Sequence, residues 1–169
     1  MTETIEVQEH GRTIAYSFDD LLKYHGPGSP GGVAVAFKTL QRAFALLSPD
    51  GPPPRREIAV RTAFGGPGAR DGFEAVTRAV SGDRFTHDPE MARPERGRVI
   101  ERFVFEVSLG ERSVTLLLRE GYVTEEFIDL ARKDGKTEQE KAHLDVLKAE
   151  LADRVMGAKA DDMFDPADA

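Results

Sequence analysis

Residues 98–118 read RVIERFVFEVSLGERSVTLLL, and this stretch decides the fold class. Apolar side chains recur at every second position, at Phe103, Phe105, Val107 and Leu109. Such alternation predicts a β-strand over Arg98–Leu109. The turn sequence that follows predicts a return strand over Ser113–Arg119, which pairs with the first as an antiparallel hairpin with one apolar face.

Helices surround this hairpin in the sequence. Apolar periodicity and capping residues predict helices over residues 17–22, 33–47, 69–80, 124–132 and 137–157, and short strands over 57–64 and 84–86. This order predicts an α+β fold, with helices packed on a small, largely antiparallel sheet. We expect a single domain over residues 1–157 and an acidic flexible tail over 158–169.

The composition excludes several classes of protein. The chain has 169 residues and no cysteine, which excludes thiol catalysis, disulfides, iron–sulfur clusters and Cys-type zinc sites. Its net charge of −7 and its lack of a basic run argue against a nucleic-acid partner. No apolar stretch is long enough to span a bilayer and no signal sequence is visible, so we expect a cytoplasmic protein without a membrane partner.

Two glycine-rich segments form the candidate ligand site. Residues 24–32 read YHGPGSPGG and open the second helix, and residues 65–71 read GGPGARD and open the third. Turns of this kind present free backbone N–H groups to an anion. The first segment lacks the phosphate-loop signature, and a tight turn that lets two helices approach explains its glycines as well. We expect the two turns to lie close together, because glycines carry no side chains to hold them apart.

Polar side chains beside these turns are candidates for chemistry. His25 has the properties of an acid, a base or a hydrogen-bonding group for a ligand. Arg70 has the geometry to hold an anion, unless it pairs with Asp71 on the first turn of its helix. His87 is expected to join them in space.

Residues 25–32 read HGPGSPGG before a helix, and Asp71 precedes a second motif, Ser81-Gly82-Asp83-Arg84. Over about residues 18–133, the chain resembles the family of the E-type subunit of formylmethanofuran dehydrogenase. That family has a His-Gly-His-x-Cys-Pro-Gly loop and a later helix that runs from Cys-x-x-Asp-Ala to Thr-Gly-Cys-Thr. Four positions of the loop match the family, namely His25, Gly26, Pro30 and Gly31. Pro27 and Ser29 replace the second His and the Cys of the loop, and Asp83 replaces the later Cys.

In that family the Cys and His positions look suited to a metal, often zinc, and many members add a Cys-rich zinc ribbon that this chain lacks. The resemblance implies a pocket between the two turns, His25 close to Asp83, and a link to one-carbon metabolism with a C1-carrier or pterin-like ligand. We expect no tightly bound zinc, because the cysteines are gone. A site with oxygen and nitrogen ligands from Asp83 and His25 stays open.

Three functions follow, and the sequence names no cofactor for any of them. The first is a non-redox binding or accessory protein that holds a small anionic or carbonyl-bearing molecule. The second is an enzyme in which His25 is the catalytic acid or base. The third is an interaction protein whose last helix docks on a partner or on a second copy, giving a homodimer. The predicted ligand-binding set is His25, Gly26, Ser29, Gly66, Arg70, Asp71, Asp83 and His87.

Overall fold

The computed structural model describes residues 2–167. The helices are α1 (Phe18–His25), α2 (Pro30–Leu47), α3 (Pro67–Thr77), α4 (Glu125–Arg132) and α5 (Glu138–Met156). The strands are β1 (Thr4–Glu9), β2 (Arg12–Ser17), β3 (Ile58–Thr62), β4 (Phe85–His87), β5 (Val104–Leu109), β6 (Arg112–Leu118) and β7 (Phe164–Pro166). The protein is α+β, with helices packed on a mostly antiparallel sheet, as the sequence predicts.

Five strands form the main sheet, in the order β4-β3-β5-β6-β7. The β3–β4 pair is parallel, and the other neighbours in this sheet are antiparallel. β1 and β2 form a separate antiparallel ribbon. α2 lies at the centre of the molecule, where it contacts α3, α5, β5 and β6. Most of its side chains are therefore buried, which explains why apolar residues cover more of this helix than a single stripe.

The β5–β6 hairpin confirms the prediction at its paired positions and corrects it at its start. The strands pair antiparallel from Val104 opposite Leu117 to Leu109 opposite Arg112. Residues 98–103 are not in a strand, so the predicted start at Arg98 is wrong. The N–H of Glu101 donates to the carbonyl of Gly97, and such local turn bonds take the place of ladder bonds there.

The apolar stripe of α5 is part of the core. The four residues of this stripe are all buried: Leu144, Leu147, Leu151 and Val155. They pack toward α2, where a Cβ added to Gly31 would lie 2.7 Å from Cδ2 of Leu151. The stripe is thus accounted for by packing within one chain, which was the alternative to the docking of this helix on a partner or a second copy.

The N-terminal ribbon is absent from the sequence-based assignment. β1 and β2 pair from Thr4 opposite Ser17 to Glu9 opposite Arg12. Both residues of the connecting turn, His10 and Gly11, have positive φ angles of 52° and 73°. Two such residues are typical of the tight turns that join twisted hairpin strands.

The predicted flexible tail is instead part of the fold as far as the structure describes it. β7 pairs antiparallel with β6, and Met163 and Phe164 are buried at 0% and 3% exposure. The prediction is therefore wrong for residues 158–167, because two large apolar side chains hold an otherwise acidic segment in the core. Residues 168–169 of that tail lie outside the described residues.

A buried lysine connects both ends of the chain. Lys38, in the middle of α2, is fully buried. Its ammonium donates to the Glu3 carboxylate at 2.9 Å and to the Ala158 carbonyl at 2.8 Å. A buried charge requires such partners.

Within residues 2–167, no helix has the length and apolarity that crossing a membrane requires.

Candidate functional site

The two glycine-rich turns meet at the starts of α2 and α3. A Cβ added to Gly68 would lie 2.3 Å from the Ser29 carbonyl oxygen, and one added to Gly32 would lie 2.9 Å from the Ala69 nitrogen. Both distances are too short for a side chain, so the backbones approach as closely as only glycine allows. The expected proximity of the turns is confirmed.

A cavity of about 500 Å³ opens beside this contact. Backbone from both turns forms one wall, and the residues that contribute it are Ser29, Gly31, Gly32, Gly65, Gly66 and Gly68. Because α2 and α3 begin at Pro30 and Pro67, this wall contains N–H groups of two first helical turns. Such groups have no intrahelical acceptor and favour an anion.

Aromatic and aliphatic side chains also line the cavity. The larger apolar residues there are Phe64, Phe103, Phe127, Ile128 and Leu144. The rings of Phe64 and Phe103 stack with centroids 4.4 Å apart and an interplanar angle of 26°. A wall of this kind buries the apolar part of a ligand, and the volume lies in the usual range for small-molecule sites.

Four cationic side chains complete the cavity, namely Arg102, Arg132, Lys136 and Lys148. No carboxylate of the described residues lines it. The Lys136 and Lys148 ammonium groups donate to backbone carbonyls, of Lys133 and Gly28, rather than to acids. The pKa of the Arg132 guanidinium is held below its usual value by partial desolvation and then by repulsion from Arg102. The cavity therefore combines an excess of positive charge with an apolar wall.

His25 lies behind the first turn and is paired with Asp71. Its Nδ1 is 2.8 Å from Oδ2 of Asp71, on α3, and its side chain is only 8% exposed. With Nδ1–H donated to the carboxylate, Nε2 carries the lone pair. Nε2 is buried, and no described residue lies within hydrogen-bonding distance of it. A Cβ added to Gly28 would lie 3.9 Å from Nε2, so the loop covers this nitrogen.

Few of the predicted site residues line the cavity. Of the eight, the cavity wall contains only Ser29 and Gly66. His25 and Asp71 form their own pair, and Arg70 is exposed on the first turn of α3. The alternative of an Arg70–Asp71 pair is not observed, since Asp71 bonds to His25.

Two further predicted residues lie outside the cavity wall, although the ring of His87 lies against the second turn, where a Cβ added to Gly65 would lie 3.1 Å from its Nε2. Asp83 follows the C-terminal end of α3, whereas Asp71 lies in the first half of that helix; α3 is 11 residues long, or about 16 Å. The partner of His25 is therefore Asp71 and not Asp83, and the expected contact is corrected. His87 is held by its own contact, with Nε2 3.2 Å from the Ala63 carbonyl.

Sequence reasoning missed all four cations of the cavity. They come from the turn before β5, the end of α4, the α4–α5 connection and the middle of α5. The only available signal was the basic character of residues 55–102, with ten Arg against eight acidic residues, and it includes Arg102 alone among the four.

Within residues 2–167, no three His, Asp or Glu side chains cluster so that they would hold a metal ion.

Comparison of the chain with models of known protein families and with curated protein sequences finds no match in either.

Proposed function

We propose that this chain binds a small organic anion in the cavity between the two glycine-rich turns. The observation that carries the proposal is the cavity's polarity: four cationic side chains and no described carboxylate, beside a stacked pair of aromatic rings. Other cations of the chain, such as Arg55, Arg61 and Arg98, pair with carboxylates, whereas these four do not pair with any carboxylate of the described residues. Four cations gathered without one create a local field that attracts an anion.

The apolar wall makes an organic anion a better fit than a bare ion. A ligand with a ring or a short aliphatic body would bury that body against Phe64 and Phe127, the partly exposed aromatic residues of the lining. Its charged group would lie toward the helix starts and the arginines. The helix N-termini alone would not define the site; the enclosed volume and the side-chain charges do.

Benzoate and benzamide test this directly, because they share size and shape and differ in charge. By isothermal titration calorimetry we expect benzoate to bind at least about tenfold more tightly, since a charge-assisted hydrogen bond exceeds a neutral one by roughly this factor. The variant Arg102→Gln should remove most of the difference. Arg112→Gln is the matched control, because Arg112 is exposed at the opposite end of β5. Equal binding of benzoate and benzamide would contradict the proposal.

The second candidate function is catalysis by His25. The His25–Asp71 pair, with an unpartnered Nε2, is the arrangement in which a carboxylate orients an imidazole as a general base. Against it stands the cover over Nε2, which lies under Gly28 and not in the cavity wall. A turnover assay is decisive only with a substrate in hand, so anion binding is the function tested first.

We also infer a distant relationship to the family of the E-type subunit of formylmethanofuran dehydrogenase. It is supported by the loop residues His25-Gly26 and Pro30-Gly31 alone. A role in one-carbon metabolism rests on the same residues. His25 and Asp71, at the positions of one family His and of the family's helix Asp, form a polar contact in this chain.

A further inference from the structure

We propose that the anion bound in this cavity is a dianionic phosphate monoester of a ring-bearing alcohol, rather than a monocarboxylate. This inference deepens the proposed function and rests on it.

The charge exceeds what one carboxylate would neutralise. Neither Arg102 nor Arg132 lies within 4 Å of a carboxylate of the described residues, and the same is true of Lys136 and Lys148. Arg102 and Arg132 line the same cavity; the pKa of Arg132 is lowered first by desolvation and then by Arg102, while Glu101 and Asp129 raise it. A phosphate monoester brings a charge of about −1.5 to −2 at pH 7, so it relieves the repulsion between these cations more fully than a single negative charge.

The cavity also offers more hydrogen-bond donors than one carboxylate can accept. Two guanidinium groups offer planar forks of N–H donors to oxyanions. Backbone from the first turns of α2 and α3 lines the same cavity, at Gly31, Gly32 and Gly68. A phosphate monoester has three terminal oxygens with which to meet donors from several directions, whereas a carboxylate has two in one plane.

The ring would lie on the aromatic side of the same cavity. The partly exposed rings of Phe64 and Phe127 offer the aromatic surface there, and Phe64 stacks on the buried Phe103. A volume of about 500 Å³ holds a phosphate together with a one- or two-ring body. The occupant is thus a small phosphorylated aromatic or heteroaromatic molecule, and free inorganic phosphate would leave the apolar wall unused.

Phenyl phosphate and phenyl sulfate isolate the charge, because both carry the same ring and a tetrahedral oxyanion. At pH 7.5 the phosphate is largely a dianion and the sulfate is a monoanion. By calorimetry with the full chain, we expect phenyl phosphate to bind at least about tenfold more tightly than phenyl sulfate, benzoate or inorganic phosphate. Arg102→Gln and Arg132→Gln should each reduce the preference for phenyl phosphate over phenyl sulfate, and Arg112→Gln should leave it unchanged.

Each of the other possible results contradicts a specific part of this inference. If phenyl sulfate or benzoate binds as tightly as phenyl phosphate, the ligand is a monoanion; the dianion is then wrong while the proposed anion-binding function stands. If inorganic phosphate equals phenyl phosphate, the ring has no role. If none of the ring-bearing anions binds, both the inference and the proposed function fail. If the Arg112→Gln control loses binding equally, the arginines of the cavity are not the cause.

Discussion

Substituting Gly68 by alanine tests the close contact on which both α3 and the cavity depend. The added Cβ would lie 2.3 Å from the Ser29 carbonyl oxygen and 3.1 Å from the Val33 nitrogen. A carbon and a carbonyl oxygen normally come no closer than about 3.3 Å, so the two helix starts must separate by about 1 Å. Both opposing atoms are backbone, and no side-chain rotation relieves the clash.

The expected cost follows from competing terms. Overpacking costs about 1–3 kcal/mol, and a rigid backbone contact belongs at the upper end. Alanine recovers up to about 1 kcal/mol through its better helix propensity. The net loss is about 2 kcal/mol, which for a chain of this size lowers the melting temperature by about 4–8 °C.

Differential scanning calorimetry measures the change, and Gly51→Ala is the matched control. A Cβ on Gly51 meets nothing within 4 Å, and its φ is not in the positive region. The control should be neutral or slightly stabilising, because alanine restricts the unfolded chain. If Gly68→Ala melts within about 1 °C of the parent protein, the argument from overpacking is refuted.

Three further outcomes are expected. Phe164→Ala should cost about 3–5 kcal/mol in chemical denaturation, because its ring is buried, whereas the exposed Asp162→Ala should cost under about 0.5 kcal/mol. The pKa of Glu140 is lowered to about 2 by its bonds to Lys133 and to the N-terminus of α5. Because its pKa is lower in the folded state, the Glu140 carboxylate stabilises the fold at pH values above its ordinary pKa of 4.5. The melting temperature of Glu140→Gln should therefore lie below that of the parent protein by a constant amount above pH 4.5, and this difference should vanish as the pH falls toward 2; a difference that persists at pH 2 would contradict this. His25→Ala should lower the melting temperature by several degrees, because it removes a buried, hydrogen-bonded ring, while benzoate still binds; a stable variant that no longer binds would place His25 in the site.

Most of the fold was predictable because local signals agreed with tertiary packing. α1, α4 and α5 begin at capping residues that the sequence displays, and β5–β6 has an alternating pattern on both sides of a turn. The predicted strand, however, began at Arg98, among residues that turn bonds hold out of the sheet. Periodicity alone does not show where a strand ends.

The missed elements depend on information that is short or remote in sequence. The β1–β2 ribbon had a usable signal, since Ile5 and Val7 alternate with polar residues before the His10-Gly11 turn. β7 had none, because three residues with one large apolar side chain pair with β6 only when the core has formed.

The candidate site was half predictable for the same reason. The glycine-rich turns are contiguous in sequence, so their role in bringing α2 and α3 together follows from residue type. The cations are not contiguous: Arg102 and Lys148 are separated by β5, β6, α4 and part of α5. The sequence singles out His25, but the identity of its partner, Asp71, depends on which turn of α3 faces α1.

The same glycines set the helix spacing and the cavity wall, while the charge is carried by side chains that do not support the core. Gly32 and Gly68 determine how closely α2 approaches α3, so a variant at either position alters stability and anion affinity together. Arg102 and Arg132 are exposed on the cavity side and leave packing intact when neutralised. We therefore expect variants of the two arginines to lose anion binding and keep their stability, and variants of the two glycines to lose both. A bound ligand stabilises the folded state in proportion to its affinity. The anion should therefore raise the melting temperature of Gly68→Ala by less than it raises that of the parent protein, because the displaced turn no longer lies in register with the arginines.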